Sequence, residues 1–336
     1  MHHRTNGRCD GKKRSTGCFP GGVAERLPIM AEGLSREGLK ILVATDLSDP
    51  ADEAIRQAHE WAKASNGELV VCHVIAAPWH MNALFPQKNE EESLETLDIE
   101  QKAAQEISSR VTELTGREPD AFRVILESGD PAASILEQAE QEKADLVVVA
   151  NRGATGIARL LIGTVAQRVV RHAHCPVLVA RAHERTGHIL VATDLSRPSV
   201  PPVAIGALAA QRRGAHLTVL HNVDVATLPV LLMDAASSMA GFPVAPRAAS
   251  EVRGLATELV RDFMARHQIE GDYMIAEGDA AASIWRAAEE LPAELIVIGS
   301  HGRTGLARLA LGNVAERVLE TAPCSVLVVR PSKPSA

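Results

Sequence analysis

Aromatic side chains are scarce in this chain, with three Trp, one Tyr and five Phe among 336 residues. The stacking platforms that proteins use to hold single-stranded nucleic acid are therefore largely missing. Cysteine is sparse as well: Cys9, Cys18, Cys72, Cys175 and Cys324 form an odd set without C-x-x-C spacing. That pattern argues against a disulfide framework and against a thiolate zinc site. Cys72 reads as core packing, while Cys175 and Cys324 precede two matching apolar runs and read as inert thiols, reactive thiols being the alternative. No run approaches the ~20 consecutive apolar residues that a membrane helix requires, and the amino terminus lacks the apolar centre of a secretory signal. A cytoplasmic protein with no membrane association is the expectation. Also missing are G-x-x-x-x-G-K-[ST], a G-x-G-x-x-G after the first strand, G-x-S-x-G and H-E-x-x-H.

What is present is enough apolar content, 46%, to fill two ordinary cores, and a net charge of −7 that is unevenly spread. Met1 to Arg36 carries seven Lys and Arg against three Asp and Glu, so the remaining body is more acidic than the total indicates. An acidic body argues against nucleic acid as a partner. Residues 1–36, rich in Gly and basic side chains and without apolar periodicity, read as a disordered basic tail, and Met30 is an alternative start.

Beyond the tail the sequence repeats itself. "KILVATDLSDPA" from Lys40 returns as "HILVATDLSRPS" from His188, and "CHVI" from Cys72 returns as "LHNV" from Leu220. "ESGDPAASIL" from Glu127 returns as "AEGDAAASIW" from Ala276, and "CPVLVAR" from Cys175 as "CSVLVVR" from Cys324. Two homologous domains follow, 37–183 and 184–336, each of ordinary single-domain size. Within each, short β-branched runs alternate with helical patterns in the order β-α-β-α-β-α-β-α-β. Continuous apolar strands joined by helical crossovers predict a five-stranded parallel, doubly wound α/β domain with Rossmann-like topology. Such sheets bind ligands outside the carboxyl ends of their strands, where strand order reverses.

That rule points to the ends of the first and fourth strands. The first ends in "ATD" (Ala44 to Asp46, and again Ala192 to Asp194). The fourth runs into "ANRGATGIARLLIGT" from Ala150 and "GSHGRTGLARLALGN" from Gly299. Glycines there expose backbone N–H groups to an anion at a helix N-terminus. A competing reading keeps the glycines as turn residues, makes Thr164 and Asn313 helix caps, and lets Asp46 and Asp194 serve the turn with Ser48 or Ser196 capping the first helix. Arg152 and Arg303 flank the loops, His301 lies inside one, and His73 and His221 read as packed histidines.

The tandem five-strand pattern, "ATDLS" and the G-x2-G-x9-G spacing together resemble the universal stress protein family, of the adenine nucleotide alpha hydrolase-like type. The resemblance covers nearly all of Lys40 to Arg330. It implies binding of ATP, with Mg²⁺, along the glycine loop, the adenosine lying near the ends of the first and second strands. By position it assigns Thr45, Asp46, Val74, Ala150, Gly153, Gly163 and Thr164 in the first half. In the second half it assigns Thr193, Asp194, Val223, Gly299, Gly302, Gly312 and Asn313. Ala150 and Asn313 depart from the family's Gly and hydroxyl residue. The implied function is a nucleotide-dependent stress-response regulator, with at most slow ATP hydrolysis and an unidentified regulatory partner. The fifth strands should form edges, where family members commonly dimerise; here the two halves can pair within the chain, with a homodimer beyond that. Two alternatives stand beside it: a nucleotide-independent stress scaffold or chaperone-like protein, and a small-molecule enzyme of a related adenosine-binding fold.

Overall fold

The computed structural model describes residues 32–75, 90–153, 162–223, 245–301 and 311–330. The tail through residue 31, with Cys9, Cys18 and Met30, lies outside these residues. So do Gly156, Gly302, Arg303 and Gly305.

In the first half the order is α1 (Glu32–Ser35), β1 (Lys40–Thr45), α2 (Asp49–Ala64), β2 (Glu68–Ile75), α3 (Glu90–Thr115), β3 (Arg123–Ser128), α4 (Pro131–Gln141), β4 (Leu146–Ala150), α5 (Thr164–His172) and β5 (Val177–Ala180). The second half repeats it with β6 (His188–Thr193), α6 (Val200–Arg213), β7 (His216–Val223), α7 (Ala245–Arg266), β8 (Asp272–Glu277), α8 (Ala280–Glu290), β9 (Leu295–Gly299), α9 (Asn313–Thr321) and β10 (Ser325–Val329). The ten strands form one sheet in the order β3-β2-β1-β4-β5-β10-β9-β6-β7-β8. Pairing is parallel throughout each half, and β1 and β6 each lie between the second and fourth strands of their half, where the order reverses.

The strands are apolar on both faces, and their period of two divides the core into two layers. On one face Ile41, Val43, Leu69, Val71, Val191 and Val219 pack beneath α2, α3, α6 and α7. On the other, Leu42, Cys72, Val147, Val149, Leu190 and Leu220 pack beneath α4, α5, α8 and α9. Cys175 and Cys324 are buried in this second layer. The basic tail ends earlier than residue 36: α1 seats Leu34 in the core, and Arg36 donates to Asp145. Arg212 of α6 also donates to the carbonyls of Leu34, Ser35 and Arg36, so α1 touches the second half.

The two halves join through their fifth strands, which pair antiparallel with Leu178 opposite Leu327. Each strand exits into an arginine that reaches the other half. Arg181 donates to the carbonyls of Leu319 and Cys324 beside the end of α9, and Arg330 donates to those of Val170 and Arg171 in the last turn of α5. Arg181 is only 9% exposed, and burial pushes its guanidinium down to about 10. Helix C-terminal carbonyls carry partial negative charge, which compensates this buried cation without a carboxylate.

Candidate functional site

At the end of β1, Thr45 is buried, and its Oγ1 accepts from the Leu47 N–H at 3.1 Å. Asp46 accepts from the N–H and Oγ of Ser48, at 3.2 and 2.5 Å. Thr193, Asp194 and Ser196 repeat this turn in the second half, with Thr193 Oγ1 also hydrogen-bonded to Ser199 Oγ at 2.8 Å. Asp46 and Asp194 therefore do build the turn, whereas Ser48 and Ser196 face back to the aspartates and make no side-chain cap. Between them Leu47 and Leu195 hold φ of 63° and 62°, a left-handed conformation that strains a γ-branched residue. Both leucines pack against the core, which holds the strained turn in place. His73 and His221 bond through Nδ1 to the carbonyls of Thr45 and Thr193, at 2.8 and 2.9 Å, and are packed residues of the strand end.

The fourth strand brings its loop to this turn. A Cβ placed on Gly153 would lie 2.4 Å from Asp46 Oδ2, so the carboxylate occupies the space that glycine leaves. The N–H of Gly163 donates to the carbonyl of Asn151 at 2.7 Å, and that of Gly312 to Ser300 at 2.9 Å. Each bond closes the neck of a loop just before a helix begins. Arg152 and His301 hold the same place in the two necks, beside Gly163 and Gly312 respectively. Ser300 is fully buried and hydrogen-bonds His301 Nδ1 at 2.9 Å. None of Gly153, Gly163, Gly299 and Gly312 has a positive φ. Gly153 contributes clearance and a Cβ on Gly299 would come within 3.2 Å of the His301 carbonyl, whereas a Cβ at Gly163 or Gly312 would make only ordinary contacts of 3.4 Å or more. The ordinary φ at Gly299 explains why Ala150 can stand in its place in the first half: both end a regular strand.

The capping reading of Thr164 and Asn313 is corrected by the structure. Gly163 and Gly312 are the N-caps, with extended backbone and no side-chain cap, and Thr164 and Asn313 are the first helical residues, both exposed. The glycine carbonyls accept from the N–H of Gln167 and Glu316, which starts each helix one residue earlier than a capping box would. By contrast α4 and α8 are capped by Asp130 and Asp279, which accept from the N–H of Ala133 and Ala282 at 2.8 Å. Arg168 lies 2.7 Å from Asp130 and holds its carboxyl below the ordinary range, while the Ala282 N–H and then Arg317 do so for Asp279. The first-turn N–H groups of α5 and α9 have no intrahelical partner and no side-chain acceptor at the cap, a geometry suited to an anion.

Strand register moves one correspondence. Thr45 pairs with His73 and Thr193 with His221, so Val74 matches Asn222, and Val223 matches Ile75. Gly129 and Gly278 confirm the match by donating to the carbonyls of Ile75 and Val223, each at 3.2 Å. Asn222 is therefore the residue in the second half that occupies Val74's place, and the "CHVI"/"LHNV" alignment already carried that signal.

Two copies of this turn, neck and helix start, on two five-stranded units, are matched by the universal stress protein family profile over residues 39–181 and 186–330. The chain belongs to the universal stress protein family. A universal stress protein of Mycobacterium tuberculosis is 29% identical over 319 residues, covering 90% of this chain and 99% of that protein. One of Mycolicibacterium smegmatis is 27% identical, covering 87% of this chain and 97% of the relative. Among solved structures, a universal stress protein of Archaeoglobus fulgidus superposes with a TM-score of 0.58 at 19% identity, covering 89% of this chain and 98% of its own. A Pseudomonas aeruginosa protein of unknown function gives 0.59 at 20%, covering 90% and 95%. These last two likenesses concern the fold. Both universal stress protein domains bring the first-strand turn, the loop neck and the N-terminus of the helix that follows it, α5 or α9, to the same end of their parallel strands. No helix among the described residues is long and apolar enough to cross a membrane, and no cluster of three metal-ligating side chains occurs among them.

Proposed function

We propose that this universal stress protein binds ATP in both halves and acts in the cytoplasm as a nucleotide-dependent regulator of a stress response. The observation that carries the reading is the paired neck. Gly163 and Gly312 close their loops by backbone bonds and leave the N-termini of α5 and α9 without a side-chain cap. A phosphate chain fits such a terminus, where N–H groups and the helix dipole both favour negative charge. Thr164 offers a hydroxyl and Asn313 an amide to the same place. Asp46 and Asp194 would line the nucleoside side, Val74 and Asn222 the base side, and Gly302 would extend the second phosphate loop as Gly153 does the first. Mg²⁺ would enter with the triphosphate. Nucleotide serves here as a signal: occupancy changes function by binding one arrangement of the protein, alone or as a homodimer with a regulatory partner, more tightly than another.

One set of observations favours the nucleotide-independent scaffold as the second reading. Asp46 is already engaged by Ser48, and Gly153 has a packing reason of its own in the room that the Asp46 carboxylate takes. The two readings separate in one experiment. Protein isolated from cells and denatured should release ATP identifiable by mass, and calorimetry should give two sites per chain. Gly163→Leu and Gly312→Leu should each remove one. A chain that binds no ATP, or binds it unchanged when both glycines are replaced, has glycine loops of purely structural purpose.

A further inference from the structure

The helix starts of the two halves carry different charge. The first turn of α9 contains Glu316, whose N–H donates to the Gly312 carbonyl at 3.0 Å, whereas the first turn of α5 has no acid and holds Gln167 at the matching place. A carboxylate so near a helix N-terminus gains from the dipole but repels a second anion that seeks the same N–H groups. Arg317, the arginine of α9 itself, is engaged by Asp279. The compensating cation comes from the other half. Because the fifth strands pair antiparallel, α5 runs back along the sheet to the rim where the second neck opens. Arg171 in its last turn places Nη2 2.8 Å from Glu316 Oε1. The second half also holds the backbone of this turn: Arg330 donates to the carbonyls of Val170 and Arg171, and the carbonyl of Val329 just before it accepts from the Ser300 N–H at the second neck. The exchange is one-sided, since Glu320 stands in α9 where Arg171 stands in α5.

We propose that Arg171 is a positioning residue of the second half's site, contributed across the seam: it neutralises Glu316 and so keeps the α9 N-terminus open to a phosphate chain. The inference rests on the nucleotide-binding reading and adds that the affinity of the second half depends on a side chain of the first. With the pair intact the two charges cancel. Without Arg171 the phosphates meet an uncompensated carboxylate. The first half, with uncharged Gln167 in its first turn, has no such dependence.

The test measures ATP binding by calorimetry on the full chain carrying Gly163→Leu, so that only the second half is filled. Arg171→Met should weaken binding about threefold to tenfold, Glu316→Gln should tighten it by a similar factor, and the two together should return it close to the starting value. These differences should shrink when salt is raised from about 20 mM to about 500 mM. In a Gly312→Leu chain, where the first half alone binds, Arg171→Met should leave the affinity as it was. A salt bridge of purely structural purpose would change thermal stability and leave ATP affinity unmoved. That result, or a loss on Arg171→Met that Glu316→Gln does not restore, overturns the proposal while the nucleotide site stands. Failure of the Gly163→Leu chain to bind ATP at all removes the second site and the inference with it.

Discussion

Gly153 and Asp46 show how a single missing Cβ joins two distant parts of the chain. Because the carboxylate fills the space beside Gly153, Gly153→Ala should push it away, loosen the turn to Ser48 and cost about 1–2 kcal/mol in urea unfolding. Combined with Asp46→Ala, which empties that space, the loss should be smaller than the sum of the two, with a coupling of about 1 kcal/mol in a double-mutant cycle. The thiols give a second expectation at this scale. Cys72, Cys175 and Cys324 are buried, and burial pushes each up to about 12. A disulfide reagent at pH 8 should leave these three untouched until the chain unfolds, since thiolate is the reacting species. Sequence pointed to this for all three, because each stands in or beside an apolar run. It did not reveal what the glycines do: a spacing pattern cannot distinguish a residue that needs positive φ from one that merely needs room.

The elements of the first half were legible in the sequence to within a residue or two, because most strands are apolar runs rich in β-branched residues and most helices are bounded by Pro, Asp or Gly. The helix starts at 164 and 313 were misread as caps, since Thr-Val-Ala-Gln and Asn-Val-Ala-Glu satisfy the capping-box pattern while Gly163 and Gly312, one residue earlier, take the position. The residue matched to Val74 was displaced by one because Val223 resembles Val74 in type, whereas strand register pairs Val74's place with Asn222. Register also exposes a substitution at the opposite end of the sheet. Lys40 and Glu68 start β1 and β2 as an ion pair at 3.6 Å, and His188 and His216 stand in their places with ring centres 6.2 Å apart. Burial, followed by the neighbouring His216, holds His188 below the ordinary imidazole range, opposed by Asp272 and Glu294. A base lowered on folding contributes stability above its unfolded value, about 6.5, and loses it as pH falls through the folded one. Unfolding free energy should therefore decline between about pH 7 and pH 5. His188→Lys with His216→Glu should flatten much of that decline, while His59 and His267, also lowered first by burial, maintain the remainder.

For the whole molecule, the decisive contact is the antiparallel seam between β5 and β10, which converts two edges into the middle of one sheet. An isolated first half would expose β5 and should pair with itself, eluting as a dimer in size-exclusion chromatography. In the intact chain Leu178→Lys, placed opposite Leu327 and within the first half's own core layer, should weaken the seam and the first half together, so that calorimetry shows the first half unfolding at a lower temperature than the second. The repeat made two domains legible, and the apolar fifth strands made their pairing an expectation. The reciprocal reach of Arg181 and Arg330 was hidden, since an arginine after a strand looks like any solvated terminus until the opposing helix end is in view.

The direction of the seam has one more result. Every strand in a half runs the same way, and the halves run opposite ways, so the two loop necks lie at opposite rims of the one sheet. They therefore open in opposite directions, and no single flat surface covers both.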